Sequence, residues 1–140
     1  MSAQPLVLDT NIVLDAFVYA DPRALPVREG LAAGRFHWLA TQPMRDELER
    51  VLTYASIAAR MSRDSIEPAA VLAAFDAGAR IAPAAPKAPV TCKDPDDQKF
   101  IDLAVAHGAW LLSKDHAVLS MKKRLLALQV RAAPALEALG

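Results

Sequence analysis

A lone cysteine, Cys92, in 140 residues has no partner for an intrachain disulfide, which excludes a cystine-stapled secreted scaffold and fits a reducing compartment. No apolar run reaches the roughly 18 residues of a membrane span. Residues 1–5 are too short and too polar for a signal peptide, so the expectation is a soluble cytoplasmic protein. Net charge is absent as well: 16 Lys and Arg balance 16 Asp and Glu. Attraction to nucleic acid by bulk charge alone is therefore excluded, and any such contact must be local. The three histidines, His37, His107 and His116, are scattered, and no His or Cys pair has ligand spacing. Zinc is a poor fit to this chain.

What is present is a globular composition, 54% hydrophobic and 23% charged, long enough to bury a sizeable core as one domain over residues 1–140. The ends, residues 1–5 and 134–140, are expected to fray. Short apolar runs predict strands at 6–8, 36–40, 109–113 and 129–131. Between them, periodicity and cap residues predict helices at 12–19, 24–33 (closed by Gly34), about 41–53, from Ser62 or Asp64 to about 77, from Asp97 to 107 (closed by Gly108), and about 118–128. The three prolines within residues 81–89 suggest an extended surface connection. Strands alternating with helices imply an α/β fold with a parallel sheet covered on both faces.

In such a sheet, ligands collect beyond the carboxyl ends of strands where the strand order reverses. Asp9 follows Leu6-Val7-Leu8 and Asp115 follows Trp110-Leu111-Leu112-Ser113-Lys114, so both belong at that edge. Each is also well placed to cap the helix after it. The helical wheel adds two further acids. Glu47 borders the apolar face of Met44, Leu48, Val51 and Ala55, while Asp97 lies near the middle of the stripe of Phe100, Ile101, Ala104 and Val105. Lys99 and Asp102 fall on the opposite, solvent side, and Asp96 sits off the stripe where an N-cap would be. If Asp9, Glu47, Asp97 and Asp115 converge, their repulsion raises their pKa values or demands a cation. An all-carboxylate set suits a hard divalent ion, Mg²⁺ or Mn²⁺.

The strings Leu6-Val7-Leu8-Asp9-Thr10-Asn11, Glu47-Leu48-Glu49-Arg50-Val51-Leu52, Lys93-Asp94-Pro95-Asp96-Asp97-Gln98-Lys99-Phe100 and Leu111-Leu112-Ser113-Lys114-Asp115 resemble PIN domains. They look closest to the branch described as toxin components of bacterial type II toxin–antitoxin pairs (VapC-like). The resemblance covers about residues 6–131. It implies a three-layer α/β/α fold with a central parallel sheet and a metal-dependent endoribonuclease using one or two Mg²⁺ or Mn²⁺ ions. Asp9 and Asp97 match the principal metal ligands, and Glu47 and Asp115 match acids that bind through water or hold a second ion. Asn11 and Ser113 fall at positions that usually carry small polar residues, which would orient an acid or a water, although capping its own turn accounts for either as well, and Asp94 is close enough in sequence to reach the cleft. The implied partners are an RNA substrate, a cognate antitoxin and a second copy of the chain.

Lys114, Lys122 and Lys123, with His116 and Arg124, follow the last acid and could meet RNA phosphates, although a solvated helix face accounts for them as well. Trp38 and Trp110 lie in apolar strand patterns and read as core. A haloacid-dehalogenase-type phosphatase would need a second Asp two residues after Asp9, where Asn11 stands. A receiver-type module would need an acidic pair at the end of the first strand. The remaining rival is a PIN-like fold without turnover, a silent RNA- or protein-binding module whose acids are structural.

Overall fold

The computed structural model describes residues 3–139. Five parallel strands form one sheet: β1 (Gln4–Leu8), β2 (Phe36–Ala40), β3 (Ala79–Ile81), β4 (Trp110–Leu112) and β5 (Ala132–Ala133), in the order β3-β2-β1-β4-β5. Among these residues eight α-helices surround it: α1 (Thr10–Phe17), α2 (Leu25–Ala32), α3 (Gln42–Val51), α4 (Ala55–Arg63), α5 (Pro68–Gly78), α6 (Gln98–His107), α7 (His116–Leu119) and α8 (Lys122–Ala127). The result is a three-layer α/β/α architecture with a parallel central sheet.

Burial on both faces explains why the inner strands read as continuous apolar runs. Leu6, Val7, Leu111 and Leu112 are completely inaccessible to solvent. Register aligns Trp38 with Leu6, and Leu6 with Trp110. The Trp38 ring stacks on Phe17 of α1 with centroids 6.1 Å apart and meets the edge of Phe75 of α5 at 4.9 Å, which joins the helical layer to β2. Trp38 is thus core, as expected, whereas Trp110 is only partly covered.

Several boundaries differ from the sequence expectation. Strand β3 lies at the start of what reads as a loop, and as an edge strand with two of its three residues exposed it has no apolar pattern to betray it. The last strand is at Ala132–Ala133 instead of 129–131, because Gln129 takes a left-handed φ of 69° and turns the chain before the ladder begins. The helix expected from Ser62 or Asp64 to about 77 begins only at Pro68, as α5, because Ser65 takes a φ of 56° and turns the chain; α4, at Ala55–Arg63, was not foreseen. The basic helix near 118–128 is likewise divided into α7 and α8. The ends are held, not frayed, where described: Gln4 and Pro5 belong to β1, Ala135 is 3% exposed, and Leu136–Ala138 form a 3₁₀ turn. Residues 1, 2 and 140 lie outside the described part of the chain.

Candidate metal centre

The strand order places β1 in the middle of the sheet, with β2 on one side and β4 on the other, so the winding reverses at the β1/β4 crevice. Leu8 is in register with Leu112, which sets Asp9 and Ser113 side by side just beyond the two strand ends. The Asp9 amide extends the ladder by donating to the Leu112 carbonyl at 2.9 Å. Ser113 Oγ donates to Asp9 Oδ2 at 2.6 Å and accepts from the Asp115 amide at 3.0 Å. A fully buried serine therefore couples the two acids. Asp9 occupies the N-cap position of α1, yet its carboxylate makes no capping bond and remains directed to the crevice.

Asp97 arrives from a tight turn. Pro95–Asp97 form a single 3₁₀ turn ahead of α6, capped by the Asp94 side chain, which accepts from the Asp96 amide at 2.9 Å. The cap is therefore Asp94 and not Asp96, which is exposed. Asp94 earns its place by shaping this turn: its carbonyl accepts from the Asp97 amide at 2.7 Å. Asp97 is swung inward to 7% exposure, and its Oδ2 is buried with no hydrogen-bond partner. Asp115 Oδ1 accepts from the Ala117 amide at 2.9 Å as the cap of α7, and the same group lies beside Asp9 and Asp97.

One carboxylate oxygen from each of Asp9, Asp97 and Asp115 lies within 4.8 Å of the others. Burial pushes the Asp97 carboxyl up to about 8, helped by its bond to Asp115 and by the charges of Asp9, Asp115 and Asp94. The same bond from Asp97, with the Ala117 amide, holds Asp115 below the usual carboxylate range. Burial also raises Asp9, against the lowering effect of Ser113. In the absence of a cation, then, one proton is shared on the Asp97 side of the pair. Three hard oxygen donors, one with an orphaned buried atom, fit a divalent cation of the Mg²⁺ or Mn²⁺ type.

Glu47 does not join this trio. It stands nearby on α3, where Thr10 Oγ1 donates to its Oε2 and Lys99 Nζ contacts its Oε1 at 2.9 Å. Lys99 is consequently not on the solvent side expected from the wheel. Its four-carbon stem carries the ammonium back across α6, whereas the wheel reports only the direction of Cβ. Asp102 is also engaged, accepting from the Ala88 amide and from Gln98 Nε2, both at 2.8 Å, and so pinning the connection that precedes α6.

Asn11 Oδ1 accepts from the Lys114 amide at 3.4 Å, a long contact that ties the α1 start to the loop after β4. The Lys114 side chain points elsewhere, onto Asp15 Oδ2 at 2.7 Å. Lys122 and Lys123 are exposed on α8. Thr10, Lys99 and Asp15 were not foreseen as participants; only Thr10 had a signal, its position between Asp9 and Asn11.

The profile of the PIN-domain family matches residues 5–117. The chain belongs to the PIN-domain family. A search of curated proteins finds no match. PIN domains are generally metal-dependent nucleases, and in this PIN domain the acids that the geometry unites are Asp9, Asp97 and Asp115. No helix among the described residues is long and apolar enough to cross a membrane.

Proposed function

We propose that this PIN domain is a metal-dependent endoribonuclease that hydrolyses RNA phosphodiester bonds, and that it serves as the toxin of a toxin–antitoxin pair. The observation that carries the catalytic part is the convergence of three carboxylates on one point, with Asp97 Oδ2 buried and unpartnered among them. Asp9 and Asp97 would be the principal ligands, and Asp115 would complete the set. A divalent ion held there would supply Lewis-acid activation of water and stabilisation of the leaving oxygen.

The chain's own residues do the rest. Ser113 fixes which Asp9 oxygen faces the crevice, by donating to the other. The Asp94 turn fixes Asp97. Asp97 and Asp115 share a proton in the free centre, and both would have to be deprotonated to hold a cation. The toxin assignment is supported by the likeness of the four acidic strings to that branch of the family; RNA, an antitoxin and a second copy would be its partners.

The test is incubation of purified protein with a mixed RNA pool, tRNA included, in Mg²⁺, in Mn²⁺ and in EDTA, beside Asp9→Asn and Asp97→Asn. Discrete fragments that need metal and vanish in both variants are expected. Intact RNA throughout, with metal bound, would reject the nuclease and leave the silent binding module. Expression in a bacterial host checks the toxin role: arrest of growth by the wild type and not by Asp97→Asn is expected, and unimpaired growth with both would reject it.

A further inference from the structure

Two of the four acids at this edge differ in how the protein has already used them. Asp97 Oδ2 has no partner. Both oxygens of Glu47 are engaged: Oε2 takes the Thr10 hydroxyl and Oε1 takes the Lys99 ammonium at 2.9 Å. The ion pair is well shielded, with Glu47 at 15% and Lys99 at 27% side-chain exposure. Lys99 is in turn fixed by the Asp96 carbonyl and by the face of Phe100, 4.9 Å from the ring centroid. Lys99 also follows Asp97 by two residues on the same helical entry, so any movement that frees the lysine disturbs the turn that aims Asp97.

We infer that Lys99 stands where a second cation would otherwise sit, so that the centre loads one divalent ion on Asp9, Asp97 and Asp115, with Glu47 reserved for the lysine. This deepens the metal-dependent reading above and rests on it. The charge count agrees. Four carboxylates crowd this edge, and a built-in ammonium pairs with the one that stands outside the trio. Glu47 still acts on the centre through its negative charge, which is felt at Asp9, but as a neighbour and not as a ligand. Lys99 is thereby a positioning residue.

The experiment counts bound Mn²⁺ by electron paramagnetic resonance, with isothermal titration for affinity, in wild type, Lys99→Met, Lys99→Arg and the charge-neutral double variant Glu47→Gln with Lys99→Met. One Mn²⁺ is expected in wild type and in Lys99→Arg. Two are expected in Lys99→Met, where Glu47 is released, with spin coupling between the pair of ions. The double variant should return to one ion and hold it within about threefold of the wild-type affinity, since neither lost group is a ligand. Two ions in wild type, a single ion in folded Lys99→Met, or a loss of about tenfold or more in the double variant, the size expected when a ligand is removed, would overturn the inference while leaving the metal centre intact. No Mn²⁺ in wild type would overturn the metal-dependent reading itself. Should Lys99→Met fail to fold, the wild-type count and the double variant still decide.

Discussion

The Asp97→Asn variant should be more stable than the wild type without metal, and the advantage should grow with pH. In the folded, metal-free protein the Asp97 carboxyl keeps its proton up to about 8, against 3.8 in the unfolded chain. Below pH 4 both states are protonated and the group is neutral in its effect. As pH rises from there to about 8 the unfolded chain gives up the proton and the folded one does not, so folding becomes progressively less favourable. At about 1.4 kcal/mol per tenfold change in acidity, the ceiling at pH 7 is roughly 4 kcal/mol. Asp115, held low by the same bond, returns part of this, and a net gain of about 2 kcal/mol for the neutral amide is expected, or roughly 6–10 °C in Tm for a domain of this size. Asparagine keeps the size of the side chain and can donate to Asp115. Magnesium should reverse the order: a ligand at about a hundred times its Kd adds ~2.7 kcal/mol to the wild type, more than the variant's advantage, and nothing to the variant. The assay is thermal unfolding at pH 5 and pH 8, with Mg²⁺ and with EDTA. Equal stability of the two proteins at both pH values, or an equal response to Mg²⁺, would refute the reasoning.

Ser113→Ala removes the donor to Asp9 and the acceptor for the Asp115 amide inside a fully buried site; a loss of about 1–3 kcal/mol in urea unfolding and of about tenfold in Mn²⁺ affinity is expected. Lys114→Met strands the buried Asp15 carboxylate, and because Lys114 is itself 42% exposed the cost should be about 1–2 kcal/mol, below that of a fully buried pair. Adding Asp15→Leu to it should recover most of that loss in the same unfolding assay. Gly108→Ala meets open space but at a φ of 59°, so it should cost about 1 kcal/mol from backbone strain alone, visible as a lower Tm with metal affinity unchanged.

The two acids at strand ends were legible because Leu6-Val7-Leu8 and Trp110-Leu111-Leu112 are buried on both faces and stop abruptly at polar residues. Asp97 was legible for a different reason: a helix presents Cβ at a fixed angle, and a carboxylate in the apolar stripe has nowhere to point but inward. The same construction misplaced Lys99, whose reach exceeds the width of the helix face it starts from. It also placed Glu47 at the border of a buried face correctly while saying nothing of its occupation by Lys99 and Thr10. Strands β3 and β5 were displaced or missed because Ala-Arg-Ile and Ala-Ala carry little pattern of their own. Edge strands this short take their conformation from the strand beside them.

Asp9 and its hydrogen-bond donor Ser113 are separated by 104 residues along the chain, and the strands that carry them are direct neighbours in the middle of the sheet. During synthesis the first acid must therefore wait through nearly the whole chain before its counterpart exists. No N-terminal fragment that stops short of β4 can assemble the three-carboxylate point, however well its own helices form, and loss of the β1/β4 pairing dismantles it at once. Competence for metal is thus a report on completed folding, written into the order of the strands.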